Sequence, residues 1–177
     1  MVATIAASTS AGYYLAQSEY YLGGSEPPGI WIADGAGFGI ARGGIVEREL
    51  FERPHAAIGP EGQTLLSNGG GRIDHVPGYD MTFSAPKSVS VLWALGDPEL
   101  RRKIEQAQAA AVKASIGVLE KHAAFSRRGR NGLTSEAVVL NVAAFRHGEA
   151  QPTEHSDGRA FADPQLHTHA VILIKKV

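Results

Sequence analysis

The sequence contains no cysteine. That excludes disulfides and thiolate metal sites, so any metal centre has to be built from His, Asp and Glu, and it fits a cytoplasmic protein. Long apolar runs are missing too: no stretch approaches the roughly 20 residues of a membrane span, so no membrane insertion is expected. The start of the chain lacks the basic segment of a secretory signal. Charge of one sign is also absent in excess. The 17 Lys and Arg against 18 Asp and Glu leave a net charge of −1, so no overall basic footprint points to a nucleic-acid partner. Positive charge is local, at Arg127, Arg128 and Arg130 and at Lys175 and Lys176, and patterning alone reads these as solvated loop and tail charges.

What is present describes one globular domain with room for a real core: 177 residues, 44% hydrophobic and 20% charged. Thr9 or Ser10 can cap a helix over residues 11–22, stopped by Gly23-Gly24. Short strands are expected at 29–32, 37–40 and 44–46, and a loop at 68–71. Alternation over Tyr79–Phe83 predicts a strand with Asp80 and Thr82 on one face. A helix from Pro86 to Ala94 follows, with Ser84 as its expected cap.

Asp97-Pro98-Glu99 starts a longer helix, whose apolar stripe of Leu100, Ile104, Ala107, Ala111, Ile116 and Leu119 runs to about residue 124. Residues 127–134 read as a basic loop. Two strands, 136–147 and 165–174, flank a polar stretch, 148–162, that reads as an extended hairpin loop. The class is α+β, with a mainly antiparallel central sheet and flanking helices.

Two of the seven histidines form His167-Thr168-His169. On a strand, residues i and i+2 share a face with Cα atoms roughly 6.5 Å apart, so two imidazoles can converge on one ion. If the 148–162 loop joins antiparallel neighbours, His147 ends one strand beside the start of the next, within a residue or two of His167. Three imidazoles on one face would leave positions open for water or substrate. His155, inside the loop, is the rival third ligand; His147 is preferred because strands hold ligands more firmly than loops. His55, His75 and His122 are expected to have no part.

Four of the five tyrosines lie within nine positions, Tyr13-Tyr14 and Tyr20-Tyr21. Seven helical steps of about 100° return nearly to the start, which stacks Tyr13 with Tyr20 and Tyr14 with Tyr21. Spacing alone allows a packed aromatic face. It also allows nucleophilic catalysis, in which a divalent cation and a general base help a phenol attack phosphorus.

Together these residues resemble the MobF class of conjugative relaxases, of the TrwC/TraI type, within the HUH endonucleases. The resemblance rests on Ala11-Gly12-Tyr13-Tyr14 with Tyr20-Tyr21, on the run from Gly78 to Ser90, on Phe145-Arg146-His147, and on the run from Asp163 to Val171. It implies a palm-like relaxase fold formed by a single domain, 1–177, that is the N-terminal portion of a longer catalytic unit. It further implies nicking of single-stranded DNA at a transfer origin, with Tyr13 as first nucleophile and Tyr20 or Tyr21 in a second strand transfer. His147, His167 and His169 would hold a divalent metal ion, and Asp80 would orient a histidine or take the tyrosine proton. Lys87 is either a surface lysine or a phosphate contact, and Arg127, Arg128 and Arg130 are candidate DNA contacts.

Mg²⁺ or Mn²⁺ is the expected ion in use, while imidazoles by themselves suit Zn, Ni, Cu or Mn. Single-stranded DNA and other relaxosome proteins are the implied partners. Two other readings stay open: a single-stranded DNA-binding module that does not cut, and a three-histidine hydrolase in which the tyrosines are structural.

Overall fold

The chain runs through β1 (Val2–Ala7), a helical turn α1 (residues 11–14), β2 (Ile30–Trp31), α2 (Arg48–His55), β3 (Tyr79–Ser84), α3 (Lys87–Leu95) and α4 (Pro98–Ala123). It continues with β4 (Phe125–Arg128), β5 (Thr134–Ala137), β6 (Leu140–Glu149), β7 (Thr153–Glu154), β8 (Ala160–Phe161) and β9 (Pro164–Ile174). The computed structural model describes residues 1–8, 10–14, 26–33, 38–64, 76–128 and 133–174, with the backbone alone at 126–128 and 174.

Five strands form one sheet in the order β1-β3-β9-β6-β2, and each pairing is antiparallel. The expected α+β class is therefore what the chain adopts. Strand alternation gives the sheet two different faces. On one, Ala143, Phe145, Val171 and Leu173 pack with Tyr14 of α1, Trp31 of β2 and Phe51 of α2. On the other, Val142, Ala170, Ile172 and Phe83 pack with Val112 and Ile116 of α4. The histidines fall on the first face, away from the long helix.

Helix α4 begins as its residues dictate. The Asp97 carboxylate accepts from the Leu100 N–H at 2.8 Å, and Pro98 occupies the first turn, where no intrahelical donor is needed. Its deepest side chains are Gln108, Val112 and Ile116, one stripe of four-residue spacing, whereas Ala107, expected in the stripe, is exposed. Gln108 belongs inside because its amide donates to the Phe83 carbonyl at 2.9 Å and ties the helix to β3.

Other expectations need correction. Ser84 does not cap α3: it stays in β3 opposite His167, and Pro86 stands at the cap with no side-chain bond. The 127–134 stretch is not all loop, since Arg127 and Arg128 pair with Ser135 and Thr134 in a β4–β5 hairpin. The strand expected over 136–147 is interrupted at 138–139, and β6 extends to Glu149. Of the short strands, β2 forms, while Ile45 makes only a single bridge to Ile30. Helix α2 has no apolar periodicity to announce it; two i,i+4 ion pairs, Arg48–Glu52 and Arg53–Glu49, support its outer face while Phe51 and Pro54 are buried. The second half of the helix expected at 11–22 and the loop at 68–71 lie outside the described residues.

Candidate active site

The hairpin between β6 and β9 sets the first part of the site. His147 stands directly opposite His167, and His169 lies two residues further along the same strand. The three ring centroids form a nearly equilateral triangle with sides of 5.1 to 5.4 Å. Metal–nitrogen bonds of about 2.0–2.1 Å in tetrahedral directions put imidazole centroids roughly 5 Å apart, so the spacing suits one shared ion. Among the described residues no His, Asp and Glu group already converges its donor atoms as a finished ligand set. Loading the centre therefore asks the rings to turn within a spacing that fits.

Two rings have their far nitrogen engaged in the way metal-binding histidines usually do. His167 Nδ1 donates to the Gln165 carbonyl at 2.8 Å, and His169 Nδ1 donates to Asp80 Oδ2 at 2.8 Å. In the neutral rings the lone pair is then on Nε2, the nitrogen a cation would take. Burial, helped by the neighbouring imidazoles, lowers the pKa of His147 from 6.5 to about 4, and burial likewise lowers that of His167. Both are neutral at physiological pH, the state a ligand needs.

Asp80 joins the histidines to the tyrosines. Register places it on β3, with Thr82 opposite His169, and parity turns both toward the cluster as expected. Thr82 Oγ1 lies 3.4 Å from Asp80 Oδ1 and 3.2 Å from His169 Nδ1. The Tyr14 hydroxyl donates to Asp80 Oδ2 at 3.2 Å. Tyr14 itself is only 2% exposed, held between the rings of Phe51 and Phe145. Tyr13, its neighbour in sequence, is 37% exposed and lines a cleft of about 230 Å³ with Thr82, Ser84, His147, His167 and His169. The arrangement thus separates a phenol facing the cleft from a phenol bonded to the histidine support.

Other sequence candidates lie elsewhere. His155 is exposed in the β7–β8 turn, where its ring meets Phe161, and it does not line the cleft. His55 is buried against Phe51, with its Nε2 at 3.5 Å from Ser8 Oγ, and His122 is exposed on α4. Lys87 donates to Asp163 Oδ2 at 3.0 Å and to the Pro164 carbonyl at 3.1 Å, which fastens the start of α3 to the start of β9. Arg127 and Arg128 are in β4, with only their backbone described; Tyr20, Tyr21 and Arg130 lie outside the described residues. Sequence reasoning missed the Gln165 carbonyl, which no side-chain pattern could reveal. It also missed a role for Thr82, which the parity with Asp80 did signal.

The chain also matches known proteins. The family model described as TrwC relaxase matches residues 7–176. The multifunctional conjugation protein TraI of Escherichia coli K12 is 34% identical over 175 residues, which are 97% of this chain and 9% of that protein. A second Escherichia coli TraI is 33% identical over 169 residues, again 9% of its length. Among solved structures, the metal-bound conjugative relaxase TrwC in complex with oriT DNA superposes with a TM-score of 0.72 at 29% identity, covering 97% of this chain and 56% of that one. A copper-bound TrwC complex with oriT DNA gives 0.70 at 30% identity over the same shares. TrwC complexed with a 27-mer DNA comprising the recognition hairpin and the cleavage site gives 0.67 at 28% identity, covering 97% of this chain and 55% of that one.

Proposed function

The chain belongs to the TrwC relaxase family, and from that premise we propose that it nicks single-stranded DNA at a conjugative transfer origin, with Tyr13 as the nucleophile and His147, His167 and His169 as ligands of a divalent ion. The observation that carries the reading is the cleft shared by an exposed phenol and three imidazoles. TrwC relatives described as bound to oriT DNA and to metal support the substrate and the cofactor.

In the proposed step the Tyr13 phenol gives up its proton to solvent, its oxygen attacks phosphorus and the P–O3′ bond breaks. The leaving O3′ oxygen takes up a proton from solvent to become a free 3′-hydroxyl, so no net proton is lost or gained, while the 5′-phosphate stays on tyrosine. One phosphodiester replaces another, so the step is reversible. The bound ion would neutralise charge on the non-bridging phosphate oxygens. The chain's own residues prepare this. Asp80 fixes His169 through Nδ1, and its oxygens already serve Thr82, Tyr14 and His169, which favours an orienting role over that of proton acceptor. Tyr14 holds Asp80 from the buried side.

The choice among Mg²⁺, Mn²⁺ and softer ions rests on supply as much as on ligands: imidazoles favour Zn, Cu, Ni or Mn. A second transfer by Tyr20 or Tyr21, phosphate contacts by Lys87, Arg127, Arg128 and Arg130, and assembly with other relaxosome proteins belong to the same proposal. So does a bacterial cytoplasmic location, which a chain free of cysteine suits. Among the described residues no helix is long and apolar enough to cross a membrane.

The test is incubation of the chain with single-stranded transfer-origin oligonucleotides and Mn²⁺. A covalent adduct on a denaturing gel, lost in Tyr13→Phe, is expected. Binding without any adduct would leave the chain the DNA-binding role alone, and adduct formation unchanged in Tyr13→Phe would remove Tyr13 from the mechanism.

A further inference from the structure

The ladder between β6 and β9 breaks step beside the histidines. His147 pairs with His167, yet Glu149 pairs with Pro164, so Gln165 and Leu166 together stand opposite Gly148. Such an extra residue bends the strand and re-aims the side chains next to it. Here the groups released from the ladder find partners other than the facing strand. The Leu166 N–H donates to Ser90 Oγ at 3.0 Å, and the Leu166 carbonyl accepts from the Ala85 N–H at 2.9 Å. The Gln165 carbonyl is the one that holds His167. On the opposite strand, the Gly148 N–H donates to Glu26 Oε1 at 2.7 Å, across 122 residues of sequence.

We propose that Glu26 is a positioning residue for the histidine cluster: its carboxylate clamps Gly148, and so fixes where the two facing imidazoles stand. The inference rests on the metal-centre reading above. Glu26 does not line the cleft, so it acts through the backbone and not as a ligand. A hydrogen bond from an amide to a carboxylate is of the strong, charge-assisted kind. The other side of Gly148 is closed as well, since a Cβ there would come within 2.4 Å of the Trp93 ring. Trp93 is itself held by donation of its indole N–H to Glu105 at 3.0 Å. Gly148, next to His147, is thus gripped between a fixed ring and a carboxylate. Burial raises the pKa of Glu26 while the Gly148 bond opposes that rise, in keeping with a half-buried group retained for one contact.

The test is titration of the chain with Co²⁺, followed by visible absorption, in the wild type and three variants. Glu26→Gln keeps an oxygen acceptor at the same reach and is expected to bind within about threefold of wild type. Glu26→Ala, which has no acceptor, and Glu26→Asp, which falls short by a methylene, are each expected to bind tenfold or more weakly, the usual order for loss of a ligand's support. The Gln and Asp pair decides the question should the alanine variant not fold. Wild-type affinity in Glu26→Ala, or tight binding by Asp with weak binding by Gln, overturns the inference while leaving the metal centre standing. A wild-type chain that takes up no Co²⁺ overturns both.

Discussion

Two adjacent tyrosines face different surroundings, and that difference decides their chemistry. Tyr14 is buried and gives its hydroxyl to Asp80; Tyr13 stands at the cleft. Tyr13→Phe should abolish the covalent DNA adduct, whereas Tyr14→Phe should slow its formation without preventing it, which a time course on denaturing gels reads directly. Asp80→Ala should weaken metal uptake about 10- to 100-fold, because His169 loses the acceptor that fixes its ring; calorimetric titration measures this.

The imidazoles also predict a pH dependence for the metal-free protein. His147 binds its proton at about 4 when folded and near 6.5 when unfolded. Between those values the unfolded chain holds more protons, so stability is full above about pH 6.5 and declines as pH falls through 4, by at most roughly 3–4 kcal/mol from this residue. His167 adds in the same direction. Urea midpoints at pH 7 and pH 4.5 should show the loss, and His147→Gln should reduce it.

At the scale of elements, much of the site was legible because strands obey parity. The expectation that His147 would lie within a residue or two of His167 follows from a hairpin, and the register makes them direct partners. Asp80 and Thr82 share a face for the same reason. Turn and cap logic was weaker. Asp97 caps as its type demands, but Ser84 is kept in β3 by its pairing with His167, a tertiary preference that local propensity cannot see. Helix α2 went unread because its buried side rests on Phe51, Pro54 and His55 amid charged residues, with no apolar stripe to count. Asp97→Ala should cost α4 about 1 kcal/mol and lower the melting temperature by roughly 2–4 °C, with metal affinity unchanged, since the cap lies outside the cleft.

Across the whole molecule, the sheet divides labour between its faces. One packs against α4 and carries no candidate ligand; the other gathers the histidines, Asp80 and the tyrosine turn. What sequence could not supply at this scale was the long-range bonding, such as Glu26 to Gly148 or Ser90 to Leu166, because neither partner advertises the other. The most direct test of the shared cleft is anomalous diffraction from crystals soaked in Mn²⁺. The account predicts one strong peak within about 2.0–2.3 Å of Nε2 of His147, His167 and His169, on the side that Tyr13 faces. A peak held by other residues, or rings turned away from a common point with Tyr13 on the far side, would contradict it.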